Sequence, residues 1–121
     1  MTITYNFEID DDLLIVRTSG SDQNLDEVKA YGMAVIEAAR THECSQILCD
    51  ERGLKHRLGP LDTYQYARYI ATEAPDLGRV AIVPQPDGVR DASFWENVMI
   101  NRGIMVRVFQ SVDEARMWLS A

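Results

Sequence analysis

The chain has 121 residues, of which 46% are hydrophobic and 26% charged, and its 12 Lys and Arg against 19 Asp and Glu leave a net charge of -7. That is the composition of one acidic, soluble domain over residues 1–121, able to bury about two-thirds of its unfolded surface without disulfides or metal staples. The negative balance excludes nucleic acid or an anionic membrane surface as the main partner, because both need a cationic footprint against phosphate.

The start, Met-Thr-Ile-Thr-Tyr, reaches its first basic residue only at Arg17, unlike a secretory leader. No apolar run approaches the roughly 18 residues of a membrane span. From Ile3 to Ile9, apolar Ile3, Tyr5, Phe7 and Ile9 alternate with Thr4, Asn6 and Glu8, the period of a strand with one wet face. Asp10, Asp11 and Asp12 follow, and Leu13 to Thr18 reads as a second strand. So tight a link predicts an antiparallel hairpin with the first strand at an edge.

Gly20 to Gln23 reads as a loop, after which Asn24 can cap a helix with Glu27 reaching back to its amide. Leu25, Val28, Gly32, Val35, Ile36 and Ala39 recur at helical spacing to about His42. Gln46 to Asp50, QILCD, lacks polar alternation and predicts a strand covered on both faces, as in a parallel sheet. Glu51 to Gly59 reads as a charged loop, and Pro60 opens a helix to about Glu73. Arg79 to Val83 is the next strand, stopped by the turn from Pro84 to Gly88. A third helix carries Val89, Phe94, Trp95, Val98 and Met99 and ends at Gly103. Ile104 to Phe109 reads as a fifth strand, and Ser111 with Glu114 caps a last helix bearing Val112, Ala115, Trp118 and Leu119. Trp118 and Phe109 are expected in the core. The order predicts a single-domain α/β fold, with about five strands, parallel apart from the N-terminal edge, and about four helices joined by right-handed crossovers.

All the Cys and His of the chain fall between His42 and His56. Cys44 and Cys49 would sit at opposite ends of a strand, roughly 16 Å apart at about 3.3 Å per residue. One zinc cannot span them, so no metal site and no cofactor are expected, and the cysteines read as free thiols in a reducing cytoplasm. A Cys49 and His56 pair, oriented by Asp50 or Glu51, is the sharpest enzyme reading, although a cysteine within a covered strand is a poor thiolate. Asp50, Glu51, Arg52, Lys55, His56 and Arg57 crowd the segment after the third strand, at the carboxyl end of the sheet where α/β folds bind ligands. In the second helix Leu61, Tyr64, Ala67 and Ala71 make one stripe and Tyr66, Tyr69 and Ile70 another. Apolar residues on so much of the circumference predict contact with a second copy of the chain or with an apolar ligand under the helix.

The opening hairpin, QILCD, RVAIV and the closing RVFQSVDEARMWL from Arg107 to Leu119 resemble the SpoIIAA-like family, related to the STAS domains of bacterial anti-sigma-factor antagonists. The most distinctive stretch is Phe109 to Leu119, with Glu114, Ala115, Trp118 and Leu119 in place. The resemblance implies a STAS-like fold and a small cytosolic module that binds a protein partner or a ligand. Antagonists carry a phosphorylated Ser in an Asp-x-Ser motif at the start of the helix after a central strand. Asp50-Glu51-Arg52 stands at the matching place, and arginine accepts no phosphate. Some relatives are grouped with Sec14-type lipid binders, which suits an apolar cavity beneath Tyr64, Tyr66 and Tyr69. The expectation is therefore a non-catalytic, homodimerising module without the serine switch. Its ligand or partner surface would lie at Asp50, Glu51, Arg52, His56, Tyr64, Tyr66, Tyr69 and Ile70.

Overall fold

In the computed structural model, which describes residues 2–56 and 58–121, the alternating segment forms β1 (Ile3–Asp10) and turns back into β2 (Leu13–Asp22). The pair is antiparallel, with Asp10 opposite Leu13, and Asp11 takes the left-handed φ of 54° that closes the turn. There follow α1 (Leu25–Thr41), β3 (Gln46–His56), α2 (Pro60–Glu73), β4 (Arg79–Pro84), α3 (Val89–Asn101), β5 (Val106–Val108) and α4 (Val112–Leu119), with a 3-10 turn over Pro86–Gly88. Arg57, counted above among the charged residues after the third strand, lies outside the described residues. No helix among the described residues is long and apolar enough to cross a membrane.

The strands stand in sequence order, β1-β2-β3-β4-β5, and are parallel from β2 onward. Every parallel step moves the same way across the sheet, so right-handed crossovers bring α1, α2 and α3 to one face. On that face Leu14, Val16, Ile47, Val80 and Ile82 meet Val28, Val35 and Ile36 of α1, Ala67 and Ile70 of α2, and Met99 of α3. The other face is covered by α4, where Ala115 and Leu119 meet Ile15, Leu48, Ala81 and Val83.

Local signals explain the ends of the elements. Asn24 caps α1, its side chain accepting from the Glu27 amide at 3.0 Å. The Glu27 carboxylate does not close the expected capping box. It accepts instead from the amides of Thr2 at 2.9 Å and Ile3 at 3.3 Å, tying β1 to α1. Ser111 accepts from the Glu114 amide at 3.1 Å to start α4. At the other end of α4, Arg79 donates to the Trp118 carbonyl at 2.7 Å and Gln46 donates to that of Leu119, answering carbonyls that a helix end leaves unpaired.

Two elements are longer than expected and one is shorter. β2 runs on to Asp22 and β3 to His56, and Ser19–Asp22 pair in parallel with Gly53–His56, so residues 20–22 of the loop expected at 20–23 and residues 51–56 of the loop expected at 51–59 are strand. Gly20 makes this possible: it sits at φ +105°, and a Cβ there would lie 1.9 Å from the Thr2 carbonyl oxygen. β5 begins at Val106 rather than Ile104, because the Ile104 amide is engaged by the Met99 carbonyl at 3.0 Å in closing α3.

Phe109 and Trp118 pack ring to ring, 5.6 Å between centroids, but both are half-buried. The fully buried anchors of α4 are Ala115 and Leu119. Leu119→Ala should therefore lower stability by about 2–4 kcal/mol, and Trp118→Ala by no more than that. Urea denaturation of the two variants checks the ranking, and an unchanged midpoint for Leu119→Ala would show that α4 is not held by this contact.

Candidate functional site

β3 carries one residue more than β2 over the stretch that matters. Arg17 pairs with Asp50 and Ser19 with Gly53, so Glu51 and Arg52 together face Thr18. Such a bulge shifts the pleat by one position and exchanges the faces of everything beyond it. Cys49 and Glu51 point to the helical face before the bulge, and Leu54 and His56 return to it afterwards. Lys55 stays outside.

The bulge brings three titratable groups together. Asp22, at the end of β2, pairs with His56, with 3.0 Å between its carboxylate and Nδ1, and it also accepts from the Leu58 amide at 3.3 Å. The other imidazole nitrogen, Nε2, lies 3.7 Å from a Glu51 oxygen. That is too long for a hydrogen bond, and Nε2 is buried without a hydrogen-bond partner. Thr18 and the Tyr31 hydroxyl share a hydrogen bond of 2.9 Å, and the same hydroxyl donates to Glu51 at 3.4 Å. Burial pushes the Glu51 carboxyl above its ordinary value, and the neighbouring His56 only partly offsets this. For His56 burial acts downward, but the bond to Asp22 and the charges of Glu51, Asp22 and Asp91 outweigh it and leave the imidazole raised. Gly88 packs against the ring, where a Cβ would come within 2.7 Å of the imidazole carbon Cδ2.

This polar corner opens into a cavity of about 90 Å³ between the sheet and α1, α2 and α3. Its walls include Val28, Val35, Ile36, Ile70, Ile82 and Trp95, the last stacked on Tyr66 at 5.9 Å between centroids. The indole Nε1 of Trp95 is likewise buried and has no hydrogen-bond partner. Cys49 lines the same space, but burial pushes its thiol well above the ordinary value. Among the described residues no three His, Cys, Asp or Glu are grouped to hold a metal ion.

The eight residues expected to form one surface are divided by the sheet and by α2. Glu51, His56 and Tyr66 meet at the cavity, and Ile70 reaches it from the core. Asp50 and Arg52 lie on the opposite face, where Arg52 grips the Asp50 carboxylate with two bonds of 2.8 Å and holds it below its ordinary range. Tyr64 is outside, its hydroxyl accepting from Arg102 at 3.0 Å, and Tyr69 lies under the Lys29 ammonium at 5.0 Å. The expected exposed stripe of Tyr66, Tyr69 and Ile70 is therefore corrected: Ile70 is 4% exposed, because the core stripe of α2 runs through Thr63, Tyr66, Ala67, Ile70 and Ala71. The cavity lies under Tyr66 and not under Tyr64. Asp50-Glu51-Arg52 is mid-strand, not the start of a helix, since β3 continues to His56.

Asp22, Tyr31, Asp91 and the role of Trp95 escaped the sequence reading. Tyr31 carried a signal, since it continues the stripe of Val28 and Val35 on α1. Asp22 carried none, because only its pairing in the extended β2 brings it to His56.

No family's sequence model matches this chain, and no curated protein matches it. Among solved structures, the chain is similar to an anti-sigma factor antagonist from Mycobacterium paratuberculosis, with 17% sequence identity and a TM-score of 0.66 over 98% of this chain and 95% of that one. The fold is thus the STAS-like one that the closing segment resembles, and the sheet with its antiparallel edge strand is part of it.

The unfolded references are 4.5 for Glu51 and 6.5 for His56, and both groups are raised in the folded chain. The folded state therefore binds more protons than the unfolded one. The stability tied to each group is fully present below its unfolded value and is lost as pH rises through its folded value. Glu51→Gln removes one of these groups and one of the charges that raise the other. Its stability relative to the native chain should rise as pH increases above 4.5, the unfolded value of Glu51, as measured by urea midpoints. A constant difference would mean that Glu51 does not titrate in this window.

Proposed function

We propose that this chain is a non-catalytic STAS-like binding module that takes one small, mainly apolar molecule into the cavity between the sheet and α1, α2 and α3. The observation that carries the reading is the cavity itself. Protein interiors are close-packed, with few voids larger than a water molecule. A space of about 90 Å³ is well above the roughly 10–15 Å³ that one water needs, and equals the liquid volume of about three waters at roughly 30 Å³ each. Apolar walls with a few convergent polar groups are the usual make-up of a small-molecule site.

Two further observations favour binding over chemistry or a phosphate switch. A thiol nucleophile needs a lowered pKa and access, whereas Cys49 is buried and that burial pushes its thiol well above the ordinary value. The first turn of α2 presents Pro60, Leu61, Asp62 and Thr63, and Thr63, its one hydroxyl, lines the cavity. A second reading, docking of a protein partner on the outer face of α2, is favoured by Leu61, which is 68% exposed, and by the exposed Tyr64 beside it. It also suits a fold shared with a protein described as an antagonist of an anti-sigma factor. Ile70 and Tyr66 face inward, so the surface first expected to support a homodimer is not part of either reading.

Toluene is a mainly apolar probe of this partly open cavity. It should cause saturable shifts in the methyl resonances of Ile36, Ile70 and Ile82, and Ala92→Leu, which places new atoms inside the cavity, should weaken that binding by about tenfold or more. Linear, unsaturating shifts in the native chain would dispose of the reading. Phosphopeptide mapping of the chain from its host should find no phosphate between residues 50 and 63, and a phosphorylated Thr63 would overturn the exclusion of the switch.

A further inference from the structure

We propose that the molecule bound in this cavity carries a neutral hydroxyl group, whose oxygen supplies the hydrogen bonds that Trp95 Nε1 and His56 Nε2 lack. The proposal rests on the cavity-binding reading and names the chemistry of the ligand's polar end.

Among the described residues, these two nitrogens are the buried side-chain polar atoms without a hydrogen-bond partner, and both residues line the cavity. A buried polar group left unmet is unfavourable, and native structures meet nearly all of them. An indole N–H only donates, so whatever answers Trp95 must be an acceptor. Around His56 the requirement is different. Nδ1 is engaged by Asp22 at 3.0 Å, while Nε2 faces a Glu51 oxygen at 3.7 Å, close enough that one oxygen lying beside the pair can reach both. With Nδ1 donating to Asp22 and the imidazole protonated, that oxygen accepts from Nε2–H on one side and donates its single proton to the Glu51 carboxylate on the other. A hydroxyl does both.

The charges lining the cavity exclude the other candidates. Asp22, Glu51 and Asp91 line it with His56 as the one cationic group among the described lining residues. A carboxylate ligand would meet three acids in a setting that amplifies their repulsion. An ammonium has no lone pair for Trp95. A hydrocarbon leaves both nitrogens unmet. A carbonyl accepts from Trp95 but cannot donate to Glu51.

The test is a size-matched series of toluene, benzyl alcohol, benzylamine and benzoate, titrated into the ¹⁵N-labelled full chain near neutral pH. The indole N–H of Trp95 reports on the site, and that of Trp118, on the other face of the sheet, is the internal reference. In a cavity offering no hydrogen bonds, a hydroxyl gives up its water for nothing, and benzyl alcohol would bind about tenfold or more weakly than toluene. The expected result is that benzyl alcohol binds at least as tightly as toluene and tightest of the four, with a downfield shift of the Trp95 indole proton and none at Trp118. Trp95→Phe, which retains a ring to stack on Tyr66, should weaken benzyl alcohol by about tenfold and change toluene by less than about twofold. The affinity order in the native chain decides the question even if that variant fails to fold. Toluene, benzylamine or benzoate binding tighter than benzyl alcohol overturns the hydroxyl while leaving the cavity reading in place. Failure of all four to bind removes both.

Discussion

Between Arg17 and Ser19, β2 advances two residues while its partner β3 advances three, from Asp50 to Gly53. Side chains alternate across a sheet, so that one extra residue determines which face each later side chain of β3 occupies. Leu54 and His56 face α1, α2 and α3 because of it. Without it, Gly53 and Lys55 would take those places, and a lysine would replace the imidazole beside Asp22. The polar corner, the partly enclosed cavity and the separation of Glu51 from its neighbours Asp50 and Arg52 all depend on this irregularity. Bulges recur where a side chain has to be re-aimed next to a functional site.

The sheet winds in one direction, which puts three helices on one face and leaves α4 to cover the other. Near β4, Ala115 and Leu119 seal that second face. Toward β1 and the outer half of β2 it is wet, with Arg17 paired to Glu8 at 2.9 Å and Arg52 to Asp50. The Arg17–Glu8 pair, about half exposed at both ends, contributes little to stability. The two faces thus hold the same kinds of charged residue under different conditions: Asp50 is gripped by arginine and lowered, whereas Glu51, one residue on, is desolvated and raised.

Keeping Asp22, Glu51, Tyr31 and His56 beneath three helices works against folding, since desolvated charges and unmet nitrogens are unfavourable. The surrounding structure holds them in place. Gly88 leaves room for the imidazole. Gly32 lets α2 approach α1 so closely that a Cβ there would meet the Tyr66 hydroxyl and Ile70 at 2.7 Å. A core designed for stability alone would fill this space with apolar side chains, and retention of polar groups at local cost is the pattern expected of a binding site.

The amino-acid sequence alone determined the α/β class, the hairpin at the start, the extent of α2 and the caps of α1 and α4, because each rests on period, capping residues or turn residues within a few positions. It also singled out Glu51, His56 and Tyr66. What it could not show was their assembly. A period-two reading of residues 51–56 fails where the bulge breaks the alternation, so a strand reads as a charged loop, and Asp22 looks like loop until its partner strand is known. On α2 the two apolar stripes are equivalent in one dimension. Only packing against Gly32 and Trp95 turns Tyr66 and Ile70 inward and leaves Leu61 and Tyr64 in water. Burial and strand register are properties of contacts between distant segments, and the cavity, its unmet nitrogens and the raised Glu51 and His56 exist only once those contacts form.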